Sequence, residues 1–217
     1  MKTKKLVTSA MLLTFAFMLS MIQLFPLPFG GGITPVSMLP IIVIGYAYGI
    51  KWGLFSSLAY SLLQLIAGMN NVSAFYLPGE SHTALIRVIL ICLIDYVGAY
   101  TVLGFGALFR DKLKSKYTEI CLGAIVSVTF RYIMHIISGT IFFGAWAHWF
   151  FSDPTGLSQI SVFSDFCDFI INNVGGNALA LVYSVIYNGF YMIPEIIITA
   201  SAAPIVLKVI HKSRYLS

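Results

Sequence analysis

Charged residues are scarce in this sequence. Asp, Glu, Lys and Arg make up 10% of its 217 residues, whereas 59% are hydrophobic; soluble domains have about 25% charged residues. A water-soluble fold could not hide so much apolar surface, so we expect lipid to be the main solvent of the chain. At about 20 residues per crossing, the length allows roughly five to seven transmembrane helices in a single domain.

Motifs for catalysis, nucleotide binding and metal binding are absent as well. The sequence has no G-x-x-x-x-G-K-[ST] loop, no H-E-x-x-H and no nucleophile elbow, and the glycine run at 30–32 has no Lys directly after it, so it predicts a flexible loop. Cys92, Cys121 and Cys167 show no paired spacing, which argues against disulfides and zinc. We therefore expect neither an enzyme nor a cofactor, and energy for any transport must come from another chain or an ion gradient.

Six apolar runs predict six transmembrane helices, which defines an all-α membrane protein. The first run follows a basic N-terminus as in a signal peptide, but its length and the lack of a cleavage site favour an uncleaved span. The second run is short for a bilayer, so it is either tilted or begins inside the membrane. Residues 144–177 have room for an interfacial helix. The predicted spans are 6–25, 36–50, 53–69, 84–109, 118–143 and 178–208.

The basic residues indicate orientation rather than nucleic-acid binding. The net charge is +5, but no basic stripe is interleaved with aromatics. With six spans, the N-terminus, the turn at Lys51, the loop 110–116 and the tail from Lys208 fall on one side. Together they contain every Lys and Arg except Arg87 and Arg131. By the positive-inside rule, both termini are expected in the cytoplasm.

Four ionisable side chains lie within the predicted spans: Asp95, Arg131, His135 and Glu195. A charge at membrane depth is costly, so each of them needs a partner or a function. Arg131 and Glu195 lie near the middle of their spans and are expected to pair. Asp95 either pairs with Arg131 or serves as the counter-ion of a cationic ligand.

Polar and aromatic side chains gather at a similar depth in the last three spans. Gly139 lies one turn after His135, where it would leave room beside the imidazole. The tyrosines at 183, 187 and 191 recur every four residues, as either packing or a binding wall. Because aromatic faces and a buried carboxylate both attract positive charge, the cluster suits a small, flat, cationic aromatic molecule. Its members are Asp95, Tyr96, His135, Tyr183 and Asn188.

Four segments carry a resemblance to a known family. They are 32–40 (GITPVSMLP), 93–105 (LIDYVGAYTVLGF), 131–139 (RYIMHIISG) and 183–195 (YSVIYNGFYMIPE). The sequence resembles, over most of its length, the thiamine-specific S-component of energy-coupling-factor (ECF) transporters. The resemblance implies a six-helix fold in the cell membrane that captures thiamine from outside. It also implies docking on a shared module of one transmembrane subunit and two ATPases, which supply the energy.

The resemblance also assigns ligand contacts. It implies that Asp95 and Tyr96 face the cationic thiazolium ring, where the family has a Glu-Tyr pair. Phe143 stands where the family often has a stacking Trp, and Trp146 is a candidate substitute. The other substrate-binding residues that the resemblance implies are Tyr76, His135, Gly139, Tyr183 and Asn188.

The resemblance implies docking through small residues four apart on the first span. Ala10 with Thr14 and Ala16 with Ser20 approximate this spacing, so Ala10 and Ala16 are candidates to face the partner. The loops 29–35 and 70–83 are expected outside as candidate lids. Three alternatives stay open. They are an S-component for another vitamin such as riboflavin or a pyrimidine precursor, a small ion-coupled transporter acting as a homodimer, and a structural membrane protein whose polar residues clamp helices.

Overall fold

The computed structural model describes residues 2–27, 30–73, 82–153 and 156–213. Within these ranges the chain is mostly helical. The α-helices are α1 (Lys2–Ser20), α2 (Leu39–Tyr48), α3 (Ile50–Ser73), α4 (His82–Ile91), α5 (Ala99–Thr101), α6 (Lys116–Phe142), α7 (Ala147–Ser152), α8 (Ser164–Asn173) and α9 (Gly176–Ser213).

Four helical stretches of the described chain are long and apolar enough to cross a membrane: Ile50–Gly68, Leu85–Ala107, Lys116–Phe142 and Gly176–Ile210. Many of their large apolar side chains are exposed on the surface of the chain, as lipid contact requires. The all-α, multi-pass membrane fold predicted from composition is therefore confirmed in this form.

Helix α2 is shorter than the predicted span 36–50. It begins at Leu39 and has 10 residues, about 15 Å at 1.5 Å per residue, which is half of a bilayer core of about 30 Å. Eight successive residues, Leu39 to Tyr46, are buried inside the protein. Gly49 separates α2 from α3, since its φ of 91° ends one helix and the next begins at Ile50 rather than at residue 53.

The fourth span is irregular where it passes the centre of the protein. Helix α4 continues into a π-helical segment (Cys92–Gly98), then α5, then a 3-10 segment (Val102–Ala107). Gly104 lets this stretch touch α3, because a Cβ there would lie 2.5 Å from the backbone nitrogen of Leu54. Single π-helical turns occur often at functional sites, and this one contains Asp95 and Tyr96.

Helices α6 and α9 form the main packed pair of the molecule. Helix α9 has 38 residues, about 57 Å, so it extends well beyond one bilayer crossing. Two short helices, α7 and α8, lie in the segment for which one interfacial helix was predicted. They bury Phe150, Phe151 and Cys167 in a second core cluster that includes Tyr183 and Tyr187 of α9.

A small antiparallel ribbon joins α1 to α2. It consists of β1 (Phe25–Pro26) and β2 (Gly32–Ile33), with Phe25 opposite Ile33. Gly30 and Gly31 adopt φ angles of 90° and 83° next to the ribbon, a conformation that favours glycine. Of the glycine run predicted as a flexible loop, Gly32 belongs to β2, and Gly30 and Gly31 form backbone hydrogen bonds with Leu27.

Candidate functional site

A cavity of about 220 Å³ lies between the ribbon, α3, the π-helical segment, α6 and α9. This volume is on the scale of a small organic molecule, somewhat below the roughly 300–1,000 Å³ of drug-sized sites. The residues that line it are Ser20, Met21, Gln23, Gly30, Gly31, Gly32, Thr34, Ser37, Gln64, Ala67, Gly68, Ile91, Asp95, Tyr96, Tyr100, Arg131, His135, Gly139, Phe143, Tyr183, Tyr187, Asn188, Tyr191 and Glu195.

The Asp95 carboxylate is held on one wall of this cavity by two donors from α6. His135 Nδ1 lies 2.9 Å from Asp95 Oδ1, and Ser138 Oγ donates to Asp95 Oδ2 over 2.8 Å. Since a carboxylate only accepts, the His135 proton on Nδ1 points to Asp95. The buried His135 Nε2 has no hydrogen-bond partner. This arrangement orients the carboxylate without supplying a formal positive charge when His135 is neutral.

Arg131 has other partners than Glu195 and Asp95, the two that the sequence predicted. Its Nη2 donates to the Tyr100 hydroxyl over 3.0 Å, its Nη1 lies 2.9 Å from Met38 Sδ, and the guanidinium sits 4.3 Å from the centroid of the Tyr100 ring. In the described part of the chain, Arg131 forms no ion pair with Glu195 or with Asp95. Both predicted pairings of this arginine are therefore wrong, because neutral sulfur and phenol groups occupy its Nη atoms.

Glu195 is the second acid in the cavity and, unlike the partly buried Asp95, it is buried, with 1% of its surface exposed. Its Oε1 accepts from the Thr34 backbone nitrogen over 2.6 Å and from Thr34 Oγ1 over 2.7 Å. Thr34 Oγ1 also shares a hydrogen bond with Ser37 Oγ. Sequence reasoning missed Glu195 as a cavity residue. The signal was present, since Glu195 continues the four-residue spacing of the tyrosines at 183, 187 and 191.

The tyrosine stripe of α9 both packs and lines the cavity. Tyr183, Tyr187 and Tyr191 are buried and all three reach the cavity. On their other side, Tyr183 and Tyr187 pack against the ring of Phe150. The Tyr191 ring meets the His135 imidazole edge-on at 6.0 Å. The packing interpretation of the stripe is therefore confirmed, and its role as a binding wall stays a prediction.

Gly139 and Asn188 lie where α6 approaches α9. A Cβ on Gly139 would lie 2.1 Å from Ser184 Oγ, so the glycine permits helix contact rather than leaving room beside the imidazole. That expectation was wrong. Asn188 Nδ2 donates to Ser184 O over 2.9 Å, and its Oδ1 accepts from the Tyr191 hydroxyl over 2.7 Å. Both residues still line the cavity.

The remaining predicted residues differ in where the structure places them. Phe143 lines it, but Trp146 does not; the indole is 44% exposed and packs edge-on against Trp149 at 6.1 Å. Tyr76 lies outside the described residues. On α1, Ala10 is exposed, whereas Ala16 is fully buried in the core, so its expected place on a docking surface is wrong.

The formal charges around the cavity do not balance. Counted with both acids ionised and His135 neutral, Asp95 and Glu195 contribute two negative charges to the cavity and Arg131 contributes one positive charge. Aromatic rings form much of the remaining wall. Low-dielectric surroundings strengthen the attraction between such an excess charge and a cation. The described residues include no cluster of side chains suited to a metal ion.

The fold and the cavity together define a helical membrane protein with an internal cavity on the scale of a small molecule. The family model described as Thiamine transporter protein (Thia_YuaJ) matches residues 6–153, more than half of the chain. The chain therefore belongs to this family of thiamine transporter proteins, and the predicted membership is confirmed.

Two relatives agree with this assignment. The "Thiamine transporter ThiT" of Bacillus subtilis (strain 168) is 28% identical over 179 residues, which cover 78% of this chain and 72% of the relative. A solved structure of ThiT from Listeria monocytogenes superposes with a TM-score of 0.65 at 19% identity, covering 99% of this chain and 98% of that one. At this identity the structural likeness supports the fold.

Proposed function

We propose that this protein captures thiamine in the cavity, as the substrate-binding S-component of an ECF transporter in the cell membrane. The observation that carries the proposal is the excess negative charge of a buried, tyrosine-rich cavity. Thiamine has a permanently cationic thiazolium ring and a flat aminopyrimidine ring. Aromatic faces attract such a cation by up to about 2 kcal/mol when the site is desolvated.

Each wall of the cavity has a role in this proposal. Asp95, oriented by His135 and Ser138, lies beside the thiazolium ring and offsets its charge. Tyr96 and Tyr183 supply aromatic faces for the two rings. The unpartnered His135 Nε2 hydrogen-bonds the polar edge of the pyrimidine. Asn188 Oδ1, which accepts from the Tyr191 hydroxyl, has a second lone pair for the same edge.

The energy for uptake is proposed to come from other chains. The sequence has no nucleotide-binding loop, so one transmembrane subunit and two ATPases of the ECF module would hydrolyse ATP. In this arrangement the chain crosses the membrane six times with both termini in the cytoplasm, which the clustering of Lys and Arg supports. The exposed Ala10 face of α1 is a candidate contact for the transmembrane subunit.

Isothermal titration of the purified protein in detergent tests the proposal. Thiamine should bind with nanomolar to low-micromolar affinity and without ATP, and riboflavin should not compete. Absence of binding by thiamine and its phosphates would overturn the proposal. Proteoliposomes without partner subunits should not accumulate thiamine along a proton gradient; accumulation would instead favour an ion-coupled transporter.

A further inference from the structure

Two buried polar atoms on the ribbon side of the cavity have no hydrogen-bond partner: Arg131 Nε and Glu195 Oε2. Arg131 is 9% exposed and Glu195 is 1% exposed, and both side chains line the cavity. The rest of each side chain is fixed. Tyr100 and Met38 bind the Nη atoms of Arg131, and Thr34 binds Oε1 of Glu195.

Buried polar groups in native proteins are almost always satisfied, and each exception indicates a bound water, an ion or a ligand. Arg131 and Glu195 line the same cavity and form no direct ion pair. Arg131 Nε can only donate, and an ionised Glu195 Oε2 can only accept. A group that satisfies both must accept one hydrogen bond and donate another.

A hydroxyl group meets this requirement, whereas a phosphate oxygen only accepts and an ammonium group only donates. Thiamine has one such group, the primary alcohol at the end of its two-carbon arm. We propose that Arg131 and Glu195 form a subsite that binds this alcohol. Arg131 Nε–H donates to the hydroxyl oxygen, and the hydroxyl donates to Glu195 Oε2. This proposal rests on the proposed function, and it adds a reason why the cavity would select thiamine over its phosphate esters.

The subsite distinguishes free thiamine from its phosphate esters. Phosphorylation removes the hydroxyl proton that Glu195 accepts and places negative oxygens beside the carboxylate. Arg131 attracts those oxygens, but its Nε carries a single N–H, and each Nη atom already uses one of its two N–H groups on Met38 or Tyr100. The alcohol is therefore expected to bind more tightly than the ester, by about 10- to 100-fold for a hydrogen bond to a charged group.

The test compares three ligands on three forms of the protein by isothermal titration. The ligands are thiamine, an analogue whose arm ends in a methyl group instead of the hydroxyl, and thiamine monophosphate. The proteins are the parent, Glu195→Gln and, as a matched acid-to-amide control in the same cavity, Asp95→Asn. Glu195→Gln keeps an oxygen that accepts from Thr34, and it replaces the unpartnered acceptor Oε2 with an NH2 group, which donates.

On the parent, loss of the hydroxyl should weaken binding about 10- to 100-fold. In Glu195→Gln this difference should shrink, and the monophosphate should gain affinity relative to thiamine. In Asp95→Asn the affinities of all three ligands should fall, while the ratios between them stay as in the parent.

Tight thiamine binding that does not depend on the hydroxyl would overturn the subsite and leave the proposed function standing. No thiamine binding to the parent would overturn the proposed function itself. Because the hydroxyl comparison needs only the parent, it decides the matter even if Glu195→Gln fails to fold.

Discussion

The two acidic centres of the cavity are built in different ways. Asp95 lies in the π-helical segment and is held by two donors of α6, which are 40 and 43 residues away in the sequence. Glu195 is held by the ribbon loop, through Thr34, 161 residues away in the sequence. Asp95 is bound by Ser138 and by His135, counted as neutral, whereas Glu195 shares the cavity lining with the Arg131 guanidinium. The first centre therefore keeps an uncompensated charge for a cation, and the second presents a balanced pair suited to a neutral polar group.

Asp95→Asn should cause the largest loss, because it removes the uncompensated charge. Losing one partner of a buried charge pair costs about 2–5 kcal/mol, which is roughly 30-fold to several thousand-fold in the Kd for thiamine. Titration of the purified variant measures the loss. Asp95→Glu keeps the charge and serves as the control. Parent-like affinity in Asp95→Asn would show that the two centres do not differ as described.

His135→Ala should have the next largest effect, confined to the Asp95 centre. The variant removes a hydrogen bond to a charged group and leaves Asp95 oriented by Ser138 alone, a change of about 1.5–3 kcal/mol. The Kd for thiamine should rise roughly 10- to 150-fold. The ratio between thiamine and the analogue without the hydroxyl should not change. A change in that ratio would mean that the two centres are coupled.

Thr34→Val tests how the ribbon loop holds Glu195. The valine removes the hydroxyl that donates to Glu195 Oε1 and keeps the backbone donor. The free energy of unfolding should fall by about 0.5–1.5 kcal/mol, read as a lower thermal midpoint in detergent. Thr34→Ser retains the hydroxyl and should behave as the parent. Equal midpoints for the valine and serine variants would contradict this contact.

Trp146→Phe should have the smallest effect, since Trp146 lies apart from both centres. A substitution away from special features stays within about 0.5 kcal/mol, so the Kd for thiamine should change by roughly twofold at most. Phe143→Ala, which removes a ring from the cavity wall, should weaken binding more. A larger effect of the Trp146 variant would place this tryptophan at the ligand after all.

The sequence predicted the helical architecture and the residues of the Asp95 centre. Long apolar runs required membrane helices, and depth along three spans placed Asp95, His135 and Asn188 together, as the structure has them. The four-residue spacing after Tyr191 places Glu195 on the tyrosine face, but its contact with Thr34 joins segments 161 residues apart and was not predictable from local periodicity. The break at Gly49 also escaped prediction, since the apolar pattern runs through it.

The sequence did not predict the π-helical segment either. A sequence with a regular apolar pattern predicts an α-helix, and the wider turn at Cys92–Gly98 is set by packing against α3 and α6. Trp146 was misplaced for a related reason. The 3-10 segment Gly144–Trp146 follows the end of α6 at Phe142, so helical spacing no longer gives the direction of its side chains.

The role of charge at the Asp95 centre can be measured directly on the unmodified protein. The measurement is the ratio of Kd values for thiamine and for an analogue in which an uncharged five-membered ring replaces the thiazolium. A deficit of positive charge in the cavity predicts that thiamine binds at least about 30-fold more tightly. Equal affinity for the two ligands would contradict a cavity built around a cation.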